Sequence, residues 1–333
     1  ELGVAYYGNV YLDHARQDFK EIQEHGCNSI LLAMSEFDYV NWRDNYFEMA
    51  KIAKQEFGFN VYLNFWAWGR VFGGEAPSFF LVNDIENRQI YSKTHKPLPA
   101  ACFMRSPFRK YLKKAIKNTI KEYIDGYFLD EPHYAYGEKN IFPISISPYF
   151  SCRCSICQES FKNQYNYEMP FEENEDIFEF KEKCIIDFLK DTSEYVKELD
   201  SSKSITVCVV PEFTEIKDWN KLCFDSMDIL STDPYWILFQ KDLTFVREYS
   251  EKLVKIAKNN NKKSQLWLLA FLIPANREEE LREATRIMAK TNVDSIFTWC
   301  YRGGLGTLIK SDNPELVWKI VGEVFNEIKE NTD

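Results

Sequence analysis

No run in this 333-residue sequence reaches the roughly 18 consecutive apolar residues of a membrane-spanning helix, so no membrane partner is expected. Glycine and proline are scarce, at 13 and 12 residues, which excludes collagen-like and linker-like architectures. Positive charge is also in the minority. With 41 Lys and Arg against 51 Asp and Glu, the formal net charge is −10, and bulk attraction to nucleic acid or an anionic membrane is excluded. There is no glycine-rich first turn of the dinucleotide-binding kind. The opening ELGVAYYGNV lacks the basic, apolar and small-residue succession of a secretory signal. Cys27, Cys208 and Cys300 lie in apolar runs, where a reduced thiol serves as a small hydrophobe. Together these features lead us to expect a reducing, cytoplasmic compartment.

What is abundant is material for a core: 45% of residues are hydrophobic and 16% aromatic. Short runs rich in Val, Ile, Leu and aromatics alternate with helical patterns, as in parallel strands covered by crossover helices. The strands are expected at Gly3 to Tyr7, Ser29 to Met34, Asn60 to Trp66, Gly126 to Asp130, Ile205 to Val210, Ile229 to Thr232, Gln265 to Phe271 and Ser295 to Trp299. Between 108 and 124, Tyr111, Leu112, Ala115, Ile116, Thr119, Ile120 and Tyr123 form one apolar stripe at helical spacing. After Asn313, an expected N-cap followed by Pro314, the repeat Leu316, Ile320, Val324, Ile328 reads as the last helix. Eight strand-helix units predict a closed (β/α)8 TIM barrel occupying residues 1–333 as one domain. Two connections, 70–106 and 133–174, far exceed the usual length of about 2–6 residues. Both leave the carboxyl-terminal end of the barrel, where ligands bind.

Cys152, Cys154 and Cys157 form a C-x-C-x-x-C cluster in the second long connection, and Cys102 lies in the first. Four thiolates suffice for a tetrahedral zinc. The alternative is unpaired or disulfide-linked loop cysteines, although residues so closely spaced bridge one another poorly. Cys102 followed by Ser106-Pro107-Phe108-Arg109, and the later CRCSICQESF at 152–161, resemble the metal site of glycoside hydrolase family 42, the barrel β-galactosidases. The resemblance covers about residues 100–165. It implies a barrel that hydrolyses a glycosidic bond and a structural zinc held by Cys102, Cys152, Cys154 and Cys157.

The segment GYFLDEPHY places Asp130 and Glu131 at the end of the fourth barrel strand, just before Pro132. Side chains alternate along a strand, so the two carboxylates are expected on opposite faces, with one dominating the pocket. Asp-Glu-Pro here is similar to the Asn-Glu-Pro of many sugar-cleaving barrels, which implies a general acid/base role for Glu131. The tripeptide also resembles the Asp-Glu pair of family 20 and family 123 hexosaminidases. That likeness implies a substrate-assisted reaction in which Asp130 supports a substrate acetamide. A retaining enzyme of the first kind needs a second carboxylate on the seventh strand, and QLWLLAFLIPAN has none. The remaining candidates are Asp130, Asp233 in STDPYW after strand six, and Glu212 in VVPEF after strand five. Each also has a bland reading as a turn, cap or solvated acid. Assigning Asp130 as nucleophile and Asp233 as acid resembles α-galactosidase-type barrels. We prefer Asp233 as the partner of Glu131, because it faces across the mouth without distortion.

Aromatics gather at the same end: Tyr6, Tyr7, Trp66, Trp68, Tyr235, Trp236, Trp299 and Tyr301. Sugars pack their C–H faces on such rings, and their hydroxyls seek polar side chains. Tyr7, Asn64, Trp66, Trp68, Tyr235, Trp236, Trp299 and Arg302 are the expected substrate contacts, with barrel core as the competing role of the rings. His95 and His133 are loop histidines with solvation as their ordinary role. The expected partner is a small-molecule or oligosaccharide substrate, and the competing function is a noncatalytic carbohydrate-binding barrel.

Overall fold

Eight parallel strands close on one another in the computed structural model, which describes residues 1–135 and 147–331. In chain order the strands are β1 (Leu2–Tyr6), β2 (Ser29–Ala33), β3 (Asn60–Asn64), a hairpin of β4 (Arg88–Ile90) and β5 (Pro97–Ala101), then β6 (Gly126–Leu129), β7 (Ser204–Val209), β8 (Ile229–Thr232), β9 (Lys263–Leu269) and β10 (Ser295–Trp299). The hairpin stands apart, and the others form a closed barrel in the order β1-β10-β9-β8-β7-β6-β3-β2. Every residue of β1, β2, β6 and β8 is buried, as expected of strands covered on both faces. Rings from β3, β6, β9 and β10 fill the inside: Phe128 meets Trp267 at 5.1 Å, Trp267 meets Phe297 at 5.3 Å, and Phe297 meets Tyr62 at 5.9 Å between centroids. The barrel is therefore a packed core open to ligand only at its mouth.

All eight expected strands are present, most ending one or two residues earlier than expected. The helices depart more. They are α1 (Leu12–Glu24), α2 (Glu36–Asn41), α3 (Arg43–Gln55), α4 (Phe79–Asn83), α5 (Ser106–Thr119), α6 (Ser155–Tyr165), α7 (Glu175–Leu199), α8 (Leu243–Asn259), α9 (Glu280–Ala289) and α10 (Pro314–Glu330). The crossover from β7 to β8 has no α-helix, only a 3-10 turn at Trp219–Leu222, so the expected eight strand-helix pairs reduce to seven. Pro211 and the Asp218 turn, whose carboxylate accepts from Asn220 N–H at 3.0 Å, break that stretch. The stripe expected through Tyr123 stops at Thr119, because Ile120 turns extended. In α10, Val317 and Val321 are buried while Leu316 is exposed, and the Asn313 side chain bonds to Glu278 rather than capping the helix. No helix among the described residues is long and apolar enough to cross a membrane.

The two long connections are structured and stitched together. The first holds α4 and the β4–β5 hairpin, and the second holds α6, with 136–146 outside the described residues. Gln89 of the hairpin is fully buried and accepts from Ala135 N–H at 3.0 Å and Ser151 Oγ at 2.6 Å. A buried carboxylate anchors the opening segment of the first connection at both ends. Glu36 accepts from Gly69 N–H at 2.8 Å, Ser78 Oγ at 2.6 Å and Phe80 N–H at 2.7 Å, and residues 70–77 hang between those points. Removing it strands three donors. Glu36→Ala should lower unfolding free energy by about 3 kcal/mol, read as a reduced urea midpoint at unchanged slope. A loss under about 1 kcal/mol would mean that water replaces the carboxylate.

Candidate active site

At the carboxyl ends of the strands a pocket gathers four carboxylates, Glu75, Asp130, Glu131 and Asp233, and a wall of rings from Trp66, Tyr235, Trp267 and Trp299. The end of β6 explains how two adjacent acids reach one cavity. Glu131 takes a left-handed backbone, φ +39°, which costs a non-glycine residue on the order of 1–3 kcal/mol. Its N–H donates to Cys208 O at 3.1 Å, and Asp130 O accepts from Gly73 N–H at 3.0 Å. This turn breaks strand alternation, so Asp130 and Glu131 share the pocket, and the expectation that one would dominate is corrected. A Cβ on Gly73 would lie 2.8 Å from Glu131 Oε2 and 3.0 Å from Asp130 Oδ2, and one on Gly74, at φ +116°, would collide with the Trp66 indole at 2.0 Å. Both carboxylates thus close on Gly73, and the Trp66 indole closes on Gly74.

Electrostatics follow from the crowding. Burial, followed by the charge of Glu131 and a hydrogen bond with it, holds the Asp233 carboxyl well above the usual range. Burial and then Glu131 also raise Asp130, against the opposing hydrogen bond from Asn64. Glu75, at the solvent-facing lip, is raised by partial desolvation and by Glu131, with Arg70 opposing. Burial and mutual repulsion thus both oppose the simultaneous ionisation of Glu75, Asp130 and Asp233.

The other expected contacts divide. Trp66, Tyr235 and Trp299 line the pocket. Tyr7 stacks behind them, 5.2 Å from Trp66 and 5.4 Å from Trp299, with its hydroxyl 3.2 Å from Cys300 Sγ. Asn64 is fully buried and turns Nδ2 to Asp130 Oδ2 at 3.1 Å, so it holds a carboxylate where a substrate contact was expected. Four residues are placed elsewhere. Trp68 is core, with its indole N–H on Met34 O at 2.8 Å, and Trp236 is core, with its own on Glu280 at 2.6 Å. A strand end and a turn point these rings outward, under the helices. Glu212 pairs with Lys241 at 3.4 Å. Arg302 pairs with Glu21 of α1. Tyr6 and Tyr301 both donate to Asp18, at 2.7 and 2.8 Å. His133 sits with Nδ1 2.7 Å from Glu131 O, and His95 packs on Phe171 at 5.4 Å. Sequence reasoning missed Glu75, Cys208, Trp267 and Phe271. The Gly73-Gly74 pair was the available signal for Glu75, since paired glycines in a chain poor in them mark close backbone approach.

The cysteines meet as a second centre. Cys102, Cys152, Cys154 and Cys157 are buried with their sulfur atoms all within 4.8 Å. Cys102 lies 3.8 Å from Cys154 and 3.6 Å from Cys157, and Cys154 lies 3.6 Å from Cys157. A tetrahedron with metal–sulfur bonds of about 2.3 Å has edges of about 3.8 Å, so the donor set fits a zinc-sized ion. Ile90 N–H donates to Cys152 Sγ at 3.4 Å, and Arg105 lies beside Cys154 as a counter-charge. All nine cysteines of the chain are unbridged.

No family model matches the chain, and no curated protein matches it. Solved structures do. A GH42 β-galactosidase from G. stearothermophilus superposes with TM-score 0.76 at 15% identity, covering 99% of this chain and 56% of that one. The β-galactosidase of the Antarctic haloarchaeon Halorubrum lacusprofundi gives 0.74 at 11%, covering 99% and 58%. The endo-β-1,4-mannanase of Thermotoga petrophila gives 0.60 at 12%, covering 99% and 77%. The chain therefore spans a little over half the length of these β-galactosidases, and it shares with all three enzymes the closed eight-stranded barrel fold.

Proposed function

We propose that the chain hydrolyses a glycosidic bond, with Glu131 as general acid/base and Asp233 as the second carboxylate. The observation that carries this reading is the pairing of the two acids in one ring-lined pocket, where burial and the charge of Glu131 raise the Asp233 carboxyl. Glycoside cleavage needs one carboxyl that donates a proton and one that bears charge. Two carboxyls sharing a proton supply both. The shared proton must sit on Glu131 at the moment of cleavage: it passes to the departing oxygen while Asp233, then ionised, attacks the anomeric carbon. Glu131 then takes a proton from the water that releases the sugar. This retaining course goes with a carboxyl spacing of about 5–5.5 Å, against roughly 6.5–9.5 Å for an inverting one. The rings receive the sugar's C–H faces. The barrel's likeness to β-galactosidases and a mannanase supports the same class.

One observation favours a second reading. Asn64 orients Asp130 beside Glu131, as a substrate-assisted reaction on a 2-acetamido sugar requires. Glu212, paired outside the pocket, leaves the candidate list. We further propose that Cys102, Cys152, Cys154 and Cys157 hold a structural zinc. Four thiolates leave such an ion no open position, so it ties the two long connections together and stands apart from the chemistry.

The acid role is tested with leaving groups. Glu131→Gln should lose most activity on aryl glycosides with poor leaving groups and much less on those with good ones, and equal losses would indicate a positioning role. Asp233→Asn should lower kcat by at least about 100-fold. Near-normal activity there, with Asp130→Asn crippled and only 2-acetamido substrates cleaved, would select the second reading. For the metal, elemental analysis should find one zinc per chain, and stripping it should lower Tm. Metal-free native protein, or a disulfide among the four cysteines, would remove the zinc assignment.

A further inference from the structure

The carboxylates lie inside the pocket, and along one side the lip beyond them is apolar. Pocket residues Tyr235 and Phe271 meet edge to face at 5.5 Å. From them an arc of rings and aliphatic side chains runs over the loops that follow β7, β8, β9 and β10, four strands that are neighbours in the barrel. Phe239 N–H donates to Tyr235 O at 3.1 Å, which sets Phe239 one turn along from the pocket. Phe213 stacks nearly parallel to it at 6.3 Å between centroids, with 56% of its surface exposed. On the other flank Leu272 N–H donates to Ile309 O at 3.0 Å, tying the β9 loop to the pocket wall. Leu272, next in the chain to Phe271, is exposed, and Leu308, next to Ile309, is fully so. Two of these residues are also strained. Phe213 and Leu272 hold left-handed backbones, φ +59° and +50°, which bulky side chains rarely adopt. Neither that strain nor an exposed apolar side chain serves stability, and the two coincide at the mouth of the site. Glu212, beside Phe213, and Lys241, just past Phe239, pair at 3.4 Å, so the charges flanking the two rings are spent on one another. A glycoside bound for cleavage puts sugar hydroxyls among carboxylates that accept their hydrogen bonds, and its other half must pass over the lip. Leucines offer that half no hydrogen-bond partner, so a second sugar would strip water from its hydroxyls without replacement. An alkyl or aryl group gains by the same contact. A second protein molecule seated there would shut the mouth.

We propose that the substrate is a glycoside with an apolar aglycone, an alkyl or aryl group that lies along Phe213, Phe239, Leu272 and Leu308 while the sugar occupies the carboxylate pocket. This rests on the sugar-cleaving reading above and names the other half of its substrate. Contact with the lip is remote from the reacting atoms, so it helps to orient the scissile oxygen toward Glu131 without adding charge to the pocket.

The test uses alkyl glycosides, whose leaving oxygens are chemically alike whatever the chain length. Methyl, butyl and hexyl glycosides of galactose, glucose and mannose, in both anomers, are compared for hydrolysis. The corresponding alkyl 1-thioglycosides, which resist hydrolysis, report binding through tryptophan fluorescence. For the sugar that is accepted, kcat/KM and thioglycoside affinity should both rise about tenfold or more from methyl to hexyl. Phe213→Ser and Leu308→Ser, changes at exposed positions, should remove most of that gain. The hexyl-to-methyl ratio is internal to each variant, so a general loss of activity does not mimic the effect. No dependence on chain length, no binding of any hexyl thioglycoside, or a gain that both variants retain overturns the proposal. Faster cleavage of a disaccharide than of the hexyl glycoside of the same sugar also overturns it and leaves the hydrolase reading standing. A dimer in sedimentation that either variant dissociates assigns the lip to a second copy of the chain and overturns it too. A gain in thioglycoside affinity with no cleavage of any glycoside supports it and overturns the hydrolase reading instead.

Discussion

Four carboxylates crowded into one partly dehydrated pocket are the constraint that the surrounding structure answers to. Charges of one sign so close repel strongly where the dielectric is low, and each must find a donor, a proton or an opposite charge. Asn64 supplies a donor to Asp130, and the charge of Glu131 favours a proton on Asp233. The remaining cost falls on the backbone, where Glu131 is left-handed and Gly73 has no side chain because none would fit. Strain and buried charge concentrated at one strand end mark a site whose geometry serves something other than stability.

The rest of the molecule holds that geometry still. The barrel supplies rigid strand ends, and the ring contacts from Phe128 through Trp267 to Phe297 make its interior a solid floor under the pocket. The first long connection carries Gly73, Gly74 and Glu75 into place, suspended from buried Glu36. Farther out, the first and second long connections are joined by Gln89, which bonds to Ala135 and Ser151, and by the four-cysteine cluster. Both long connections are thus tied to buried polar groups.

The barrel was legible because strand composition and helical periodicity are local signals repeated along the chain. Where local signals conflict, the reading failed: the β7–β8 crossover was expected to be helical and holds only a 3-10 turn. The acids were legible as residues at strand ends, but their orientation was not. Alternation predicted opposite faces for Asp130 and Glu131, and a single positive φ reversed that. Trp68 and Trp236 misled for a related reason. A ring near a strand end serves a pocket or a helix interface according to a turn of one residue, and both turned outward to carbonyl and carboxylate partners. Trp267 erred the other way, because a ring inside an apolar strand gives no sign that the cavity reaches down to it.

The central claim is that Asp233 and Glu131 act as one coupled acid pair. Carbon-13 NMR of Asp-labelled protein, with Asp233→Asn identifying its resonance, measures the Asp233 titration directly. The account predicts that Asp233 titrates well above the ordinary aspartate value of about 3.9, and that replacing Glu131 by Gln brings it down, because a neighbouring negative charge is then gone. An Asp233 that titrates in the ordinary range, unmoved by that substitution, would contradict it.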